Sequence, residues 1–117
     1  SLVHLSNALG TLNPLEPFFK AAKAVGAVTV ADAAQAAAVL PLDVKSLQAD
    51  FLVFSGHKVF APTGVGVLYG RHDLLEKMPP YQGGGSMIHE VTESAVSFLP
   101  PPHRFEAGTP AIAEVFG

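Results

Sequence analysis

The chain has 117 residues, 49% of them hydrophobic, with a formal net charge of −3 and no cysteine. That is room for one domain with a real core. The composition excludes disulfides and cysteine metal sites, a nucleic-acid binder working through a basic stripe, and a spanning helix, because no apolar run is long enough.

Leu2 to Leu5, "LVHL", reads as a short buried strand. "SNALGTLNP" follows as a loop of turn residues. Asn13 then suits an N-cap, Pro14 the first helical position, and Glu16 the far side of a capping box. Leu15, Phe18, Phe19, Ala22 and Val25 recur at helical spacing, and Gly26 closes the helix. A second strand runs from Ala27 to Ala31 and breaks at Asp32. A short helical turn is expected over Ala34 to Val39, and a second helix over Leu42 to Ala49. Phe51 to Phe54 and Val65 to Tyr69 are the third and fourth strands, followed by a short helix from Arg71 to Met78 with Leu74 and Leu75 facing in.

From Pro79 to Pro110 the character changes to Pro and Gly, in "MPPYQGGGSM" and "LPPPHRFEAGTP". A long segment of this kind in a compact domain is usually functional or disordered. Residues 111–117 begin a further helix. The expected organisation is therefore strand–helix units over 1–78, a loop-rich segment over 79–110, and the start of the next helix. Ser1 in place of Met, and the apolar ending "AIAEVFG", suggest a piece of a longer chain.

Alternating strands and helices indicate an α/β fold, with helices packed on a mostly parallel sheet. The fourth strand differs. Only ten residues separate Phe54 from Val65, too few for a helical crossover, so it is expected to run antiparallel.

In open α/β sheets, ligands bind outside the carboxyl ends of the strands. Those ends here carry Ser6 and Asn7, Asp32 and Gln35, then Ser55, His57 and Lys58. Each has an ordinary structural reading. Asn7 and Ser55 suit turns, Asp32 suits a cap, and Gln35 suits an exposed surface. His57 suits a structural histidine, and Lys58 can reach along an apolar surface into water. One ligand, pyridoxal 5'-phosphate (PLP), accounts for all of them together. The Lys58 amine can condense with the PLP aldehyde. Asp32 can pair with the protonated pyridine nitrogen. Ser55 and His57 can hold phosphate oxygens, and Asn7 or Gln35 can reach the ring hydroxyl.

Other motifs are weaker. Gly64, Gly66 and Gly70 are one spacing off a dinucleotide fingerprint and precede a strand instead of joining strand to helix. His89, Glu90 and His103 lack a zinc spacing, and no metal site is expected.

Taken together, "HLSNALGTLNP", "ADAAQ", "FSGHKVFAPTGVGVLYG", "PPYQGGGSMI" and "RFEAGTP" resemble the central part of SufS/CsdA-like (group II) cysteine desulfurases. These are PLP enzymes of the class V aminotransferase superfamily with fold type I. The resemblance implies a fragment of the PLP-binding large domain and conversion of L-cysteine to L-alanine. The persulfide sulfur would serve iron–sulfur cluster assembly, and some members act on L-selenocysteine. It implies a homodimer, a sulfur-acceptor protein and a cytoplasmic setting, with neither nucleic acid nor membrane as partner. Residue by residue, Lys58 resembles the cofactor lysine and Asp32 the pyridine partner. Asn7 and Gln35 resemble residues near the ring hydroxyl, and Ser55 and His57 resemble phosphate ligands. Gly83, Gly84 and Thr109 resemble a region that approaches the cofactor of the other subunit.

Ala33 and Ala61 depart from the family, standing where Gly is usual. A methyl there matters only if the backbone needs positive φ or very close approach. The resemblance places the persulfide-forming cysteine and the substrate-carboxylate arginine after Gly117. The ring-stacking histidine and part of the phosphate loop fall before Ser1. The 117 residues alone are thus not expected to turn over cysteine. Two other readings remain open at this level: a lyase or epimerase of the same superfamily, and a non-catalytic remnant of the fold.

Overall fold

The computed structural model describes residues 1–117. Four strands lie across one sheet in chain order: β1 (Leu2–Val3), β2 (Val30–Asp32), β3 (Phe51–Ser55) and β4 (Gly66–Gly70). β1, β2 and β3 are parallel, with Leu2 opposite Ala31 and Val30 opposite Phe51. β4 returns antiparallel to β3, pairing Ser55 with Gly66 and Phe51 with Gly70. This is the mixed sheet that the short Phe54–Val65 connection requires.

The chain divides into two units, residues 1–70 with 114–117 and residues 71–113. The break comes at Gly70, ahead of the change in composition at Pro79.

In the first unit, helix α1 (Leu15–Ala24) buries Leu15 and Phe19 in a core with Ala31, Leu52, Ala33, Ala36 and Ala49. Burying side chains of that size stabilises by roughly 1.5–3 kcal/mol each. Four of these core residues are alanines, whose small side chains leave room for the chain to lie close over the sheet. α1 ends as its sequence indicates. Gly26 takes φ +74°, its N–H donates to Lys23 O at 3.0 Å, and the Ala27 N–H donates to Ala22 O at 3.0 Å. Those two bonds make a Schellman ending.

The start of α1 differs from expectation. Pro14 is the extended N-cap residue, with no side-chain cap bond. The Asn13 amide is used elsewhere, donating to Val3 O at 2.8 Å and tying the loop back to β1. Residues 34–39 form the short run of turns expected, with the Ala37 N–H donating to Ala33 O and the Leu40 N–H to Ala36 O, each at 2.9 Å. No helix forms over residues 42–49, where 44–48 are turns. Pro41 separates the two runs, and it disfavours helical backbone in the residue before it. The Asp43 carboxylate accepts from the Lys45 N–H and the Ser46 hydroxyl at 2.9 and 2.7 Å. Gln48 then turns left-handed at φ 54°, which ends the segment.

The second unit begins with α2 (His72–Leu75), shorter than expected, with Leu74 and Leu75 half-buried. The segment expected to be loop contains an antiparallel hairpin, β5 (Ile88–Val91) and β6 (Val96–Phe98). Its turn is closed by the Thr92 N–H donating to Ala95 O at 2.8 Å. Met87, just before β5, is fully buried. A 3-10 turn covers His103–Phe105, and the last helix, α3, spans Ile112–Phe116.

Candidate active site at the strand ends

Asp32 is the last residue of β2 and is held from both sides. Its carbonyl accepts the His4 N–H at 2.9 Å, and the next amide, of Ala33, donates to Val53 O at 2.9 Å. Its side chain is half-buried. Oδ1 accepts the Ala34 N–H at 2.9 Å in an Asx turn, while Oδ2 has no hydrogen bond. A fixed carboxylate with one free oxygen can accept a proton donor from a ligand.

Lys58 sits in the 3-10 turn Gly56–Val59 that follows β3 directly. It is half-buried and makes no hydrogen bond or ion pair. Gly56 is what makes the turn fit. Its N–H donates to Val65 O at 2.8 Å. A Cβ built there would lie 2.7 Å from Val65 Cγ1 and 2.9 Å from Val65 O. Only glycine allows the return strand to come this near. On the far side, Phe60 closes the turn at φ 71°, and the Ala61 N–H donates to Gly56 O at 3.1 Å.

The other rim residues are paired. Gln35 Nε2 donates to Asn7 Oδ1 at 2.9 Å, joining the ends of the first two strands. Ser55 Oγ and His57 Nδ1 are 3.0 Å apart, one donating to the other. Asp32 lies opposite Val53 in the parallel register, on the strand next to the one that ends in Ser55 and the Lys58 turn. No direct bond joins Asp32 to Lys58.

Gly83, Gly84 and Thr109 lie in the second unit. The Gly108 N–H donates to Gly85 O at 2.8 Å. A Cβ on Gly84 would meet Gly108 N at 3.1 Å and Ala107 Cβ at 3.2 Å. The triple-glycine run and the chain just before Thr109 are therefore pressed together. Gly83 is open, with nothing within 4 Å of a built Cβ, and Thr109 is exposed.

Both departures from the family are accommodated. Neither Ala33 nor Ala61 has positive φ, and the Ala33 methyl is part of the buried core. Residues that the sequence left unassigned are Gly56, Arg104 and the pair Thr29–Asp50. For Gly56 the signal was its place between a strand and a lysine. For Arg104 it was a lone guanidinium two residues after three consecutive prolines. No three His, Cys, Asp or Glu side chains are grouped to hold a metal ion, and no helix is long and apolar enough to cross a membrane.

Comparison with known proteins places the chain in a family. The family model for aminotransferase class-V matches residues 1–117. A probable cysteine desulfurase of Streptomyces coelicolor is 53% identical over the whole chain. The chain spans 28% of that relative's length. The structure is similar to the cysteine desulfurase CsdA (S-sulfonic acid) of Escherichia coli, with a TM-score of 0.93 and 44% identity over 97% of this chain and 28% of that one. It is also similar to the cystine C-S lyase C-DES in complex with its reaction product cysteine persulfide. There the TM-score is 0.82 and the identity 31%, over 97% of this chain and 31% of that one.

Proposed function

Because the chain belongs to the class-V aminotransferase family, we propose that its 117 residues are the central, cofactor-holding part of a PLP-dependent cysteine desulfurase. The observation that carries this reading is the placement of Lys58. An unpaired, half-buried lysine stands on a glycine-dependent turn at the end of β3, beside the strand that ends in Asp32 with Oδ2 free.

The residues present fit PLP group by group. The Lys58 amine has no competing partner and suits covalent attachment to the aldehyde. Asp32 Oδ2 suits the pyridine N–H and favours its protonated form. The Asn7–Gln35 pair suits the ring hydroxyl, and the Ser55–His57 pair suits the phosphate oxygens. When bound, PLP supplies an electron sink for bond cleavage at the amino-acid carbons. The chain's own part is to anchor, orient and hold a proton. Asp32 would favour the protonated ring nitrogen, and Ser55 and His57 would hold the phosphate end.

The substrate proposed is L-cysteine, or L-selenocysteine, with L-alanine as product. The sulfur would pass as a persulfide to an acceptor protein for iron–sulfur cluster assembly. The names of the similar proteins support this, since cysteine desulfurase and C-S lyase both denote carbon–sulfur chemistry. The family resemblance also supports a homodimer in which Gly83, Gly84 and Thr109 approach the phosphate of the partner's cofactor. The test is product analysis with the full-length protein. Alanine from cysteine supports desulfuration. The likeness to a cystine C-S lyase favours one second reading, in which cysteine persulfide is released from cystine instead. Neither product from either substrate would remove both.

A further inference from the structure

Arg104 is the one arginine in the segment "LPPPHRFEAGTP", and its guanidinium is spent on backbone carbonyls. Nε donates to Leu99 O at 3.0 Å, and Nη1 donates to Glu76 O at 3.2 Å and Met78 O at 3.4 Å. The side chain is half-buried and makes no ion pair with a carboxylate. Guanidinium has several donors in a fixed plane and no acceptor, so one group can bridge carbonyls that point from different strands of chain. The carbonyls it bridges belong to two segments. Glu76 and Met78 follow α2, while Leu99 precedes three consecutive prolines. Prolines have no N–H, so that stretch cannot fix itself by ladder bonds. Arg104 lies within the turn His103–Phe105; the Glu106 N–H donates to His103 O at 3.1 Å, and the Gly108 N–H reaches Gly85 O. Thr109 follows directly. The path to Thr109 is thus pinned at two places, by Arg104 at one end and by Gly108–Gly85 at the other.

We propose that Arg104 is a positioning residue, which clamps the chain leading to Thr109 onto the end of α2 and so fixes the Gly84–Thr109 loop for a bound phosphate. This rests on the PLP reading above. Arg104 does not itself touch the cofactor. A lysine in its place keeps the charge but lacks the planar fork needed to reach Leu99 O together with Glu76 O and Met78 O.

The experiment uses the full-length enzyme with Arg104→Lys, Arg104→Met and, as a neighbouring control, His103→Ala. Release of PLP is followed by loss of its visible absorbance on dilution. Binding of pyridoxal, which lacks the phosphate, is measured in parallel, together with the unfolding midpoint of the cofactor-free protein. Arg104→Met is expected to release PLP about ten-fold faster or more, the scale seen when outer supports of a bound group are removed. Arg104→Lys should fall between, and His103→Ala should match wild type. Pyridoxal binding should be unchanged in all of them, because the loop acts on the phosphate. If Arg104→Met fails to fold, Arg104→Lys decides. Wild-type release by Arg104→Lys, or equal weakening of PLP and pyridoxal, overturns the proposal. A wild-type protein that takes up no PLP overturns the PLP reading and this proposal together, and is a distinct result from uptake with release independent of Arg104.

Discussion

Thr29 and Asp50 lock the N-terminal ends of β2 and β3 to each other. The Thr29 N–H and hydroxyl both donate to Asp50 Oδ2 at 2.9 Å, and the Asp50 N–H donates back to Thr29 Oγ1 at 3.0 Å. Both residues are buried, and Lys23 of α1 adds an ion pair to Asp50 Oδ1 at 3.4 Å. The register of the two strands is set here, at the opposite end from Asp32 and Lys58. Thr29→Val keeps the shape but leaves the Asp50 N–H without its acceptor and removes one donor from the carboxylate. A buried polar group left unpaired costs about 1–3 kcal/mol. The expected outcome is a lower urea midpoint for the full-length protein with its PLP absorbance intact. An unchanged midpoint would show that the strands are registered by other means.

Lys58 is expected to be the lysine that borohydride fixes to PLP in the full-length protein, because it is unpaired and stands at the strand end. Peptide mapping reads this directly. Lys58→Ala should abolish the fixed label. A label on Lys20, Lys23, Lys45 or Lys77 would rule out the assignment.

Asp32→Asn separates structure from chemistry. Asparagine keeps the side-chain oxygen that accepts the Ala34 N–H at 2.9 Å, so the turn after β2 should survive. What is lost is the negative charge that, on the PLP reading, would favour a protonated ring nitrogen. Activity should fall by the equivalent of about 3 kcal/mol or more, the scale of a key electrostatic group. The unfolding midpoint should change little. Near-normal turnover would mean that some other group holds the ring proton.

Gly56→Ala places a methyl 2.7 Å from Val65 Cγ1 and 2.9 Å from Val65 O. The side-chain clash can be relieved but the backbone one cannot. Crowding of this kind typically costs about 1–3 kcal/mol, and here the displaced element carries Lys58. PLP fixation should therefore slow as stability drops. Adding Val65→Ala should restore only part of the loss. Full restoration would show that the backbone approach is not the constraint.

The sheet was legible in the sequence because its strands are short apolar runs and because the Phe54–Val65 link is too short for a crossover. The rim residues were legible as polar positions at strand ends. The start of α1 was not, because Asn13 offered a good cap but its amide is used at Val3, a partner distant in sequence. Residues 42–49 carry helical formers, yet the Asp43 turn outweighs propensity. The β5–β6 hairpin was hidden by the prolines and glycines around it, although Ile88, Val91, Val96 and Phe98 suit strands. Gly56 becomes meaningful only when Val65 is seen across from it.

The antiparallel return of β4 also has a kinetic consequence. Ser55 and Gly66, which bracket the lysine turn, are far closer in sequence than Leu2 and Ala31, which join β1 to β2. Pairings between near neighbours lose less chain entropy on closure and form sooner. The β3–β4 hairpin is thus expected to gain amide protection early in refolding, before β1 docks beside β2. The turn that carries Lys58 would then be shaped ahead of the full rim that surrounds it, and a refolding chain would present Lys58 on a formed turn while Asn7 and Gln35 were still apart.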